Sequence, residues 1–444
     1  MEGQINTNLK YSVIKKDSET EAKISSLENL SLSKVGLFPS GFLAISSYED
    51  ARVILDLFRT QSLRPGMFSN IAGVSVKLHK LRSLGPILHQ AMPQNGVFLT
   101  DISLDALYFG NLKDDKKEFY SNYNLLPDKM KTKVSDIQKI KKFGEKSRAH
   151  TSMWEETIKD RKELLRLITN TTNIQMTYNS DTISTPGPIL INSEDIGLAE
   201  TIYETARKLY LGGTVDIERD NGRLLLLDLT LHKNLLYDKN KVKELIRTVS
   251  RIKPRGLKLK IADIFDLRNE TRQTIFNWKL LVKSLGAMSF SEGFPTFYSS
   301  ANADGLIAQI YGIDGFIQTF NRNDVDRNFK LSAETIKKQW EINPNLTSGR
   351  ISQYASKEFI TRGDFENILF KSGWPYPMTD IPSQDYQTVK TMTPQRFRIF
   401  SKEVLISQRN FEINELKNAI KNGEGTRLLK NKFGQWIKDL DIIF

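Results

Sequence analysis

A closed (β/α)8 TIM-like barrel, with a helical insertion and a helical C-terminal appendage, is the α/β architecture the sequence predicts. Three observations predict it. Short apolar runs of β-forming residues alternate with amphipathic stretches of ten or more residues, the runs number close to eight, and most are continuously apolar, as parallel strands covered on both faces require. The right-handed crossover between parallel strands leaves few other topologies. An open doubly wound sheet is the rival. No Gly-x-Gly-x-x-Gly follows the first strand and no Gly-x-x-x-x-Gly-Lys is present, so the nucleotide-cofactor versions of that fold lose support.

Residues 1–33 are polar and rich in Lys, Glu and Ser, and read as an N-terminal arm. The barrel is expected over 34–330. Its first strand lies in Gly41-Phe42-Leu43-Ala44-Ile45, just after Gly36-Leu37-Phe38, and leads to a helix over 48–59 with Ala51, Ile54, Leu55 and Phe58 on one face. Further strands are expected at 71–76, 96–100, 173–178, 188–191, 224–229, 256–261, 287–290 and 315–318, with helices at 196–210, 241–251, 268–285 and 303–311. Residues 110–170 are helical by pattern, charged and aromatic, and interrupt the series as an insertion on the barrel's rim. Over 331–444 the strand signals fade into helices at 332–340, 356–360, 393–422 and 427–440, broken by the turn-rich Gly373-Trp374-Pro375-Tyr376-Pro377.

Composition narrows the chemistry. The 444 residues include no cysteine, which excludes disulfides, thiolate nucleophiles and every Cys-built zinc site. The four histidines, His79, His89, His150 and His232, are scattered, so no metal is expected, nor a cofactor. They read as core or surface residues, and the five tryptophans mainly as helix-face core. A hydrophobic fraction of 39% and a charged fraction of 26% suit a soluble globular protein, and neither a membrane span nor a signal peptide is read at the polar N-terminus, so the expected location is cytoplasmic.

The 64 Lys and Arg outnumber 52 Asp and Glu, a net charge of +12. Half of that excess lies between residues 129 and 148, where Lys129, Lys131, Lys133, Lys139, Lys141, Lys142, Lys146 and Arg148 face only Asp136 and Glu145. Lysines collected in this way can neutralise phosphates, and the nearby Tyr108, Phe109, Phe119, Tyr120 and Tyr123 can stack on unpaired bases. A solvated helical face is the equal alternative. Arg322, past the last strand, is a further phosphate candidate.

With cysteine absent and no Ser/His/Asp constellation in view, the available acids and bases are carboxylates near strand ends: Asp101, Asp216, Asp228, Asp263, Glu292 and Asp314. Any one of them is more often a helix cap than a catalyst. Several at one barrel mouth suit the stabilisation of an oxocarbenium-like sugar cation, one acid protonating the leaving group while another activates water.

Two segments carry a resemblance. Phe98-Leu99-Thr100-Asp101, followed by Tyr108-Phe109, is similar to the Leu-Thr-Asp-Ser-Gly-Gly-Phe strand motif of the tRNA-guanine transglycosylases and their DNA-acting relatives, which insert 7-deazaguanine bases. Gly312-Ile313-Asp314-Gly315-Phe316-Ile317 resembles that family's Gly-x-Asp-x-Phe-Asp. The similarity in segment order spans residues 36–322. There are departures. Ile102-Ser103-Leu104-Asp105 replaces Ser-Gly-Gly-Phe, the Gly-Gly-Leu motif near Ile261-Ala262-Asp263 is absent, Ile317 stands where the family has its nucleophilic Asp, and the Cys-rich zinc cluster is missing.

The resemblance implies N-glycosidic chemistry on a nucleobase taken out of the stack, and the loss of the nucleophile turns the expectation from base exchange to hydrolysis. The expected activity is that of a base-excising DNA glycosylase leaving abasic sites, suited to defence against phages with modified DNA. Asp101 and Asp314 are the expected catalytic pair. Asp216, Asp228, Asp263, Glu292, Tyr108 and Phe316 are expected to hold the base, and the basic segment with Arg322 to hold the nucleic acid, expected to be DNA. Base exchange on DNA or RNA, a barrel enzyme on a small anionic metabolite, and a non-catalytic binding module stay open as alternatives.

Overall fold

The computed structural model describes residues 40–45, 48–63, 70–91, 97–102, 125–211, 223–262, 270–301, 303–319 and 413–424, with single positions between 391 and 410. Its strands are β1 (Ser40–Ile45), β2 (Ile71–Lys77), β3 (Val97–Asp101), β4 (Thr182–Ser184), β5 (Ile189–Leu190), β6 (Leu224–His232), β7 (Gly256–Ala262), β8 (Thr296–Ala301) and β9 (Gly315–Thr319). All pair in parallel, in the order β3-β2-β1-β9-β8-β7-β6-β4, with β5 also on β6. Because β4 pairs with the start of β6 and β5 with its end, the two fill one position, and the sheet is a nearly closed barrel of eight parallel strands.

The seam between β3 and β4 is joined by individual bonds. Asp181 N–H donates to the Phe98 carbonyl at 2.9 Å, Phe98 N–H donates to Asp181 Oδ2 at 2.8 Å, and the Ser184 hydroxyl donates to the Thr100 carbonyl at 3.0 Å. One main-chain bond and two from side chains thus stand in for a ladder where β4 is only three residues long.

The connecting helices are α1 (Tyr48–Leu63), α2 (Leu81–Ala91), α3 (Asp128–Lys139), α4 (Phe143–Lys159), α5 (Arg161–Thr177), α6 (Ser193–Leu211), α7 (Lys239–Ile252), α8 (Arg272–Glu292) and α9 (Ala303–Ile310). Two expected strands are helical. Residues 173–178 fall at the end of α5, where β-branched Thr171 is accommodated by donating its hydroxyl to the Leu167 carbonyl at 2.8 Å. Gln175 in that helix pairs with Ser184 through both amide groups, accepting from its N–H at 2.9 Å and donating to its carbonyl at 3.0 Å. Residues 287–290 belong to α8, which continues to Glu292 and stops at Gly293 in the left-handed conformation (φ 69°). The strand follows Pro295 as β8. A four-residue apolar run fits either state, and the helix-ending glycine decides.

Gly286 in α8 lies against backbone. A Cβ there would meet the Tyr311 carbonyl oxygen at 1.8 Å, and Gly312 beside it holds φ +95°. Gly286→Ala is expected to cost about 3 kcal/mol by overpacking, visible as a lower urea midpoint; an unchanged midpoint contradicts the contact.

Two apolar layers share out the strands. Leu43, Val74, Val76, Phe98, Leu225, Leu227, Leu257, Leu259, Tyr298 and Phe316 belong to the larger cluster with the helices. Phe42, Ala72, Val97, Leu99, Leu224, Leu226, Phe297 and Ile317 form a separate plug inside the barrel, toward its N-terminal end. Near that end, Asn70 N–H and its side-chain amide donate to Asn410 Oδ1 and O at 3.0 and 3.1 Å. Ile413 and Leu416, in the helical stretch 413–421, are buried with the core, so this part of the expected C-terminal helices covers the end opposite the mouth.

Among the described residues α3, α4 and α5 all lie between β3 and β4, where a barrel unit needs one helix, so the expected helical insertion is present and packs onto the ring. α5 leads into β4 as a barrel helix does, and Met153, Trp154, Leu164, Leu167 and Ile168 of α4 and α5 are buried in the core. His150 is wholly buried in α4, its Nε2 accepting from Trp154 Nε1–H at 3.1 Å. Burial pushes its pKa down from 6.5 to about 3. The unfolded chain takes up this proton near the ordinary value, so the stability His150 contributes is complete above that value and lost as pH falls toward 3. Between pH 7.5 and 4.5 the expected loss is ~2–3 kcal/mol. His150→Gln, which keeps an acceptor for Trp154, is expected to remove that slope from urea titrations at the two pH values; a slope unaltered by the substitution refutes the assignment.

Candidate active site

The upper half of the barrel interior is polar, and strand register shows why. Along β6 the inward positions run Leu224, Leu226, Asp228, Thr230 and His232, while Leu225, Leu227, Leu229 and Leu231 pack outward. The paired inward positions on β7 are Gly256, Lys258, Lys260 and Ala262. Asp101 ends β3 two residues beyond inward-facing Leu99, and Lys77 of β2 is its register partner. Ser299 of β8 pairs with Lys260. These residues share the C-terminal end of the strands, where barrel enzymes place their chemistry.

Lys258 is the centre. Its side chain is fully buried, and Nζ donates to Asp101 Oδ1 at 2.5 Å and to Asp228 Oδ2 at 2.8 Å. Burial works against its charge, but the charges of Asp101 and Asp228 and their hydrogen bonds outweigh burial and raise its pKa above the ordinary value, so the ammonium is permanent. Asp228 is raised too: burial contributes most, Lys258 opposes it, Asp101 adds to it, and Lys260 opposes it weakly. Lys260, almost fully buried, brings the second positive charge. The interior therefore holds two carboxylates and two ammonium groups, the balance that buried charge requires.

Of the residues expected at the site, Asp101 and Asp228 are brought together. Asp314 is not with them. It precedes β9 at the opposite end of the barrel, where its Oδ2 accepts from Thr296 N–H at 2.8 Å, Thr296 Oγ1 at 3.0 Å and Ser289 Oγ at 3.0 Å. It ties α8 to the starts of β8 and β9, and the expected catalytic role is corrected to a structural one. Glu292 is exposed at the end of α8, because the strand expected before it is helix. Phe316 faces the helices in the larger apolar cluster, while Ile317 faces the interior plug. Asp216, Asp263, Tyr108 and Arg322 lie outside the described residues.

The basic segment is partly neutralised at home. Lys129 pairs with Asp160 at 2.6 Å, Lys131 with Asp128 at 3.1 Å, Lys133 with Glu156 at 2.9 Å, Lys139 with Asp136 at 3.0 Å and Lys142 with Glu145 at 3.3 Å. Lys141 and Arg148 are exposed; Lys146 is half-buried, and burial lowers its pKa. Exposed pairs are worth about 0–1 kcal/mol, so a phosphate can displace the carboxylates, but the local field is weaker than the count of lysines implies.

Sequence reasoning passed over Lys258, Lys260, Thr230 and His232. A signal was present. Leu224-Leu225-Leu226-Leu227 is continuously apolar, whereas Asp228-Leu229-Thr230-Leu231-His232 and Lys258-Leu259-Lys260-Ile261 alternate. In a strand whose outer face is covered by helices, polar residues at every second position must enter the barrel. His232 is buried, and its Nδ1 accepts from Asn234 N–H at 3.2 Å, which leaves the proton on Nε2.

The fold and this constellation define a parallel (β/α)8 barrel with a buried carboxylate–ammonium centre at its mouth. No family model and no curated protein matches the chain. Among the described residues no group of His, Cys, Asp or Glu could hold a metal ion, and no helix is long and apolar enough to cross a membrane.

Proposed function

We propose that the chain is a cytoplasmic enzyme that hydrolyses the N-glycosidic bond of a modified nucleobase in DNA, releasing the base and leaving an abasic site. The observation that carries this reading is the pair Asp101 and Asp228 on one ammonium at the barrel mouth. Both face the same point, so both can address one sugar carbon, and their environments differ. Asp228, whose carboxyl holds its proton to higher pH, is the better donor to the departing base. Asp101, ion-paired to Lys258, is suited to stabilising positive charge on the sugar and to accepting a proton from attacking water. The nucleotide must leave the stack to reach this depth, and the basic segment of α3 and α4 is the surface offered to the phosphates.

Two measurements test the reading. Purified protein is incubated with genomic DNAs of different modification state, and released bases are identified by mass spectrometry alongside an abasic-site assay. Free base with abasic sites is the expected result; incorporation of a new base means exchange, and release from none of the DNAs refutes the proposal. Fluorescence anisotropy with labelled DNA over a salt series is expected to show affinity falling steeply with salt; no binding at low salt removes nucleic acid as partner. A second reading, a barrel enzyme on a small anionic metabolite, is favoured by the two buried lysines, Lys258 and Lys260, on the inward face of β7.

A further inference from the structure

We infer that a patch on the barrel rim, built on Tyr237, Lys239 and Phe276, holds single-stranded DNA across the mouth: unpaired bases stack on the two rings while Lys239, Lys241 and Lys243 meet the phosphates. This names the substrate class of the proposed function and rests on it for the nucleic acid being DNA. Among the described residues the exposed large hydrophobic side chains are Tyr48 (66%), Tyr237 (49%) and Phe276 (43%), and all three stand at one end of the barrel. Tyr48 opens α1 just after β1, Tyr237 ends the 3-10 turn Lys233–Tyr237 that follows β6, and Phe276 lies near the start of α8. Those places flank the C-terminal ends of the strands, the end that carries Asp101, Asp228 and Lys258. Exposed aromatics scattered singly need no explanation; three confined to the mouth do.

Tyr237 and Phe276 are brought together by the packing of the turn on α8. Asn277 Nδ2–H donates to the Leu236 carbonyl at 2.7 Å, and Lys233 pairs with Glu270 at 3.0 Å, so each ring adjoins a residue that fastens the two elements. Lys239 Nζ stands 5.2 Å from the centre of the Phe276 ring. A cation–ring contact at an exposed site is weak, which leaves the ammonium available to the phosphate of a nucleotide stacked there. Over residues 233–243 and 270–279, six Lys and Arg face only Asp238 and Glu270. Glu270 is engaged by Lys233, and Asp238 caps α7 by accepting from Asn240 N–H at 2.8 Å. Among the described residues no carboxylate pairs with Lys239, Lys241 or Lys243, in contrast to the five paired lysines of the 129–148 segment. Lys239 and Lys241 also stand in the first turn of α7, which holds no acidic residue; this opposes the helix dipole, a local cost that a phosphate offsets. A duplex hides the faces of its bases, so exposed rings beside unneutralised lysines fit an unpaired strand. A strand held there passes over the opening to the Asp101 and Asp228 pair with its bases already out of a duplex.

The test is fluorescence anisotropy on the full chain with four labelled probes of matched length: single-stranded DNA, the same sequence as duplex, a strand of stable tetrahydrofuran abasic residues, and single-stranded RNA. Wild type is expected to bind single-stranded DNA at least about 10-fold more tightly than the duplex or the abasic strand. The double variant Tyr237→Ala, Phe276→Ala is expected to lose about 10- to 100-fold in affinity for single-stranded DNA and none for the abasic strand, whereas Tyr237→Trp, Phe276→Trp keeps the stacking faces and retains the affinity. The triple variant Lys239→Ala, Lys241→Ala, Lys243→Ala is expected to make the slope of log affinity against log salt shallower by about 2. Circular dichroism checks the folding of each variant. The inference is overturned by an alanine variant that binds as wild type does, by a tryptophan variant as weak as the alanine one, by a salt slope unaltered by the lysine substitutions, by duplex or RNA bound more tightly than single-stranded DNA, or by no binding at low salt. Base release is measured in parallel. Release by wild type with binding unimpaired in the alanine variant defeats the patch alone, and ring-dependent binding of single-stranded DNA without release from any DNA defeats the glycosylase reading alone.

Discussion

Lys258→Met is expected to destabilise the protein by about 3–5 kcal/mol, because it removes the cation and leaves its two carboxylates buried together. Methionine fills most of the lysine stem, so the loss is electrostatic rather than a cavity. The pH dependence identifies it. Without Lys258, folding must hold two carboxylates at close quarters, and their folded pKa values rise above the unfolded ones. The variant's stability is then retained at acid pH and lost as pH rises through those folded values. Denaturant titrations at pH 5 and pH 8 are expected to show a much larger deficit at pH 8. The double variant Asp101→Asn, Lys258→Met, which removes one charge of each sign and leaves Asp228 to balance Lys260, is expected to recover most of the stability while remaining inactive. A single-variant deficit below about 1 kcal/mol at pH 8, the worth of an exposed pair, contradicts a buried centre.

Asp101→Asn is expected to lower base release by at least about 100-fold, the lower range for loss of a positioned acid–base group. The amide keeps the size of the side chain but can neither carry the negative charge that stabilises a sugar cation nor accept a proton from water. It also leaves Lys258 with one carboxylate, so the variant's stability is measured in the same preparation. Asp314→Asn is the contrasting substitution: its partners Thr296 and Ser289 lie at the other end of the barrel, so the expected effect is on stability, with release per folded molecule unchanged. Loss of release on Asp314→Asn with Asp101→Asn fully active inverts the assignment.

The barrel was legible because continuous apolar runs separated by amphipathic stretches admit few parallel arrangements, and seven of the expected strands coincide with strands of the sheet. The two that do not, at 173–178 and 287–290, are short apolar or β-branched runs inside longer helices; local composition at that length does not distinguish the states, and Gly293 was the better guide. The site was half legible. Asp101 and Asp228 stood out as carboxylates in apolar strands, but Asp314 looked equivalent although it begins a strand rather than ending one, which puts it at the wrong end of a parallel barrel. The lysines of Leu257-Lys258-Leu259-Lys260 were hidden by the habit of reading lysine as surface. Only the covering of β7 by helices on its outer side forces them inward, and that depends on the whole sheet.

The central claim is that Asp101, Asp228 and Lys258 form one centre that breaks a glycosidic bond. Its most direct measurement is a mass balance on DNA of known modification state: moles of free base against moles of abasic or nicked sites, for wild type and Asp101→Asn side by side. The account expects equal amounts from wild type and at least about a 100-fold loss from Asp101→Asn. Free base from neither protein on any DNA, or equal release by both, contradicts it.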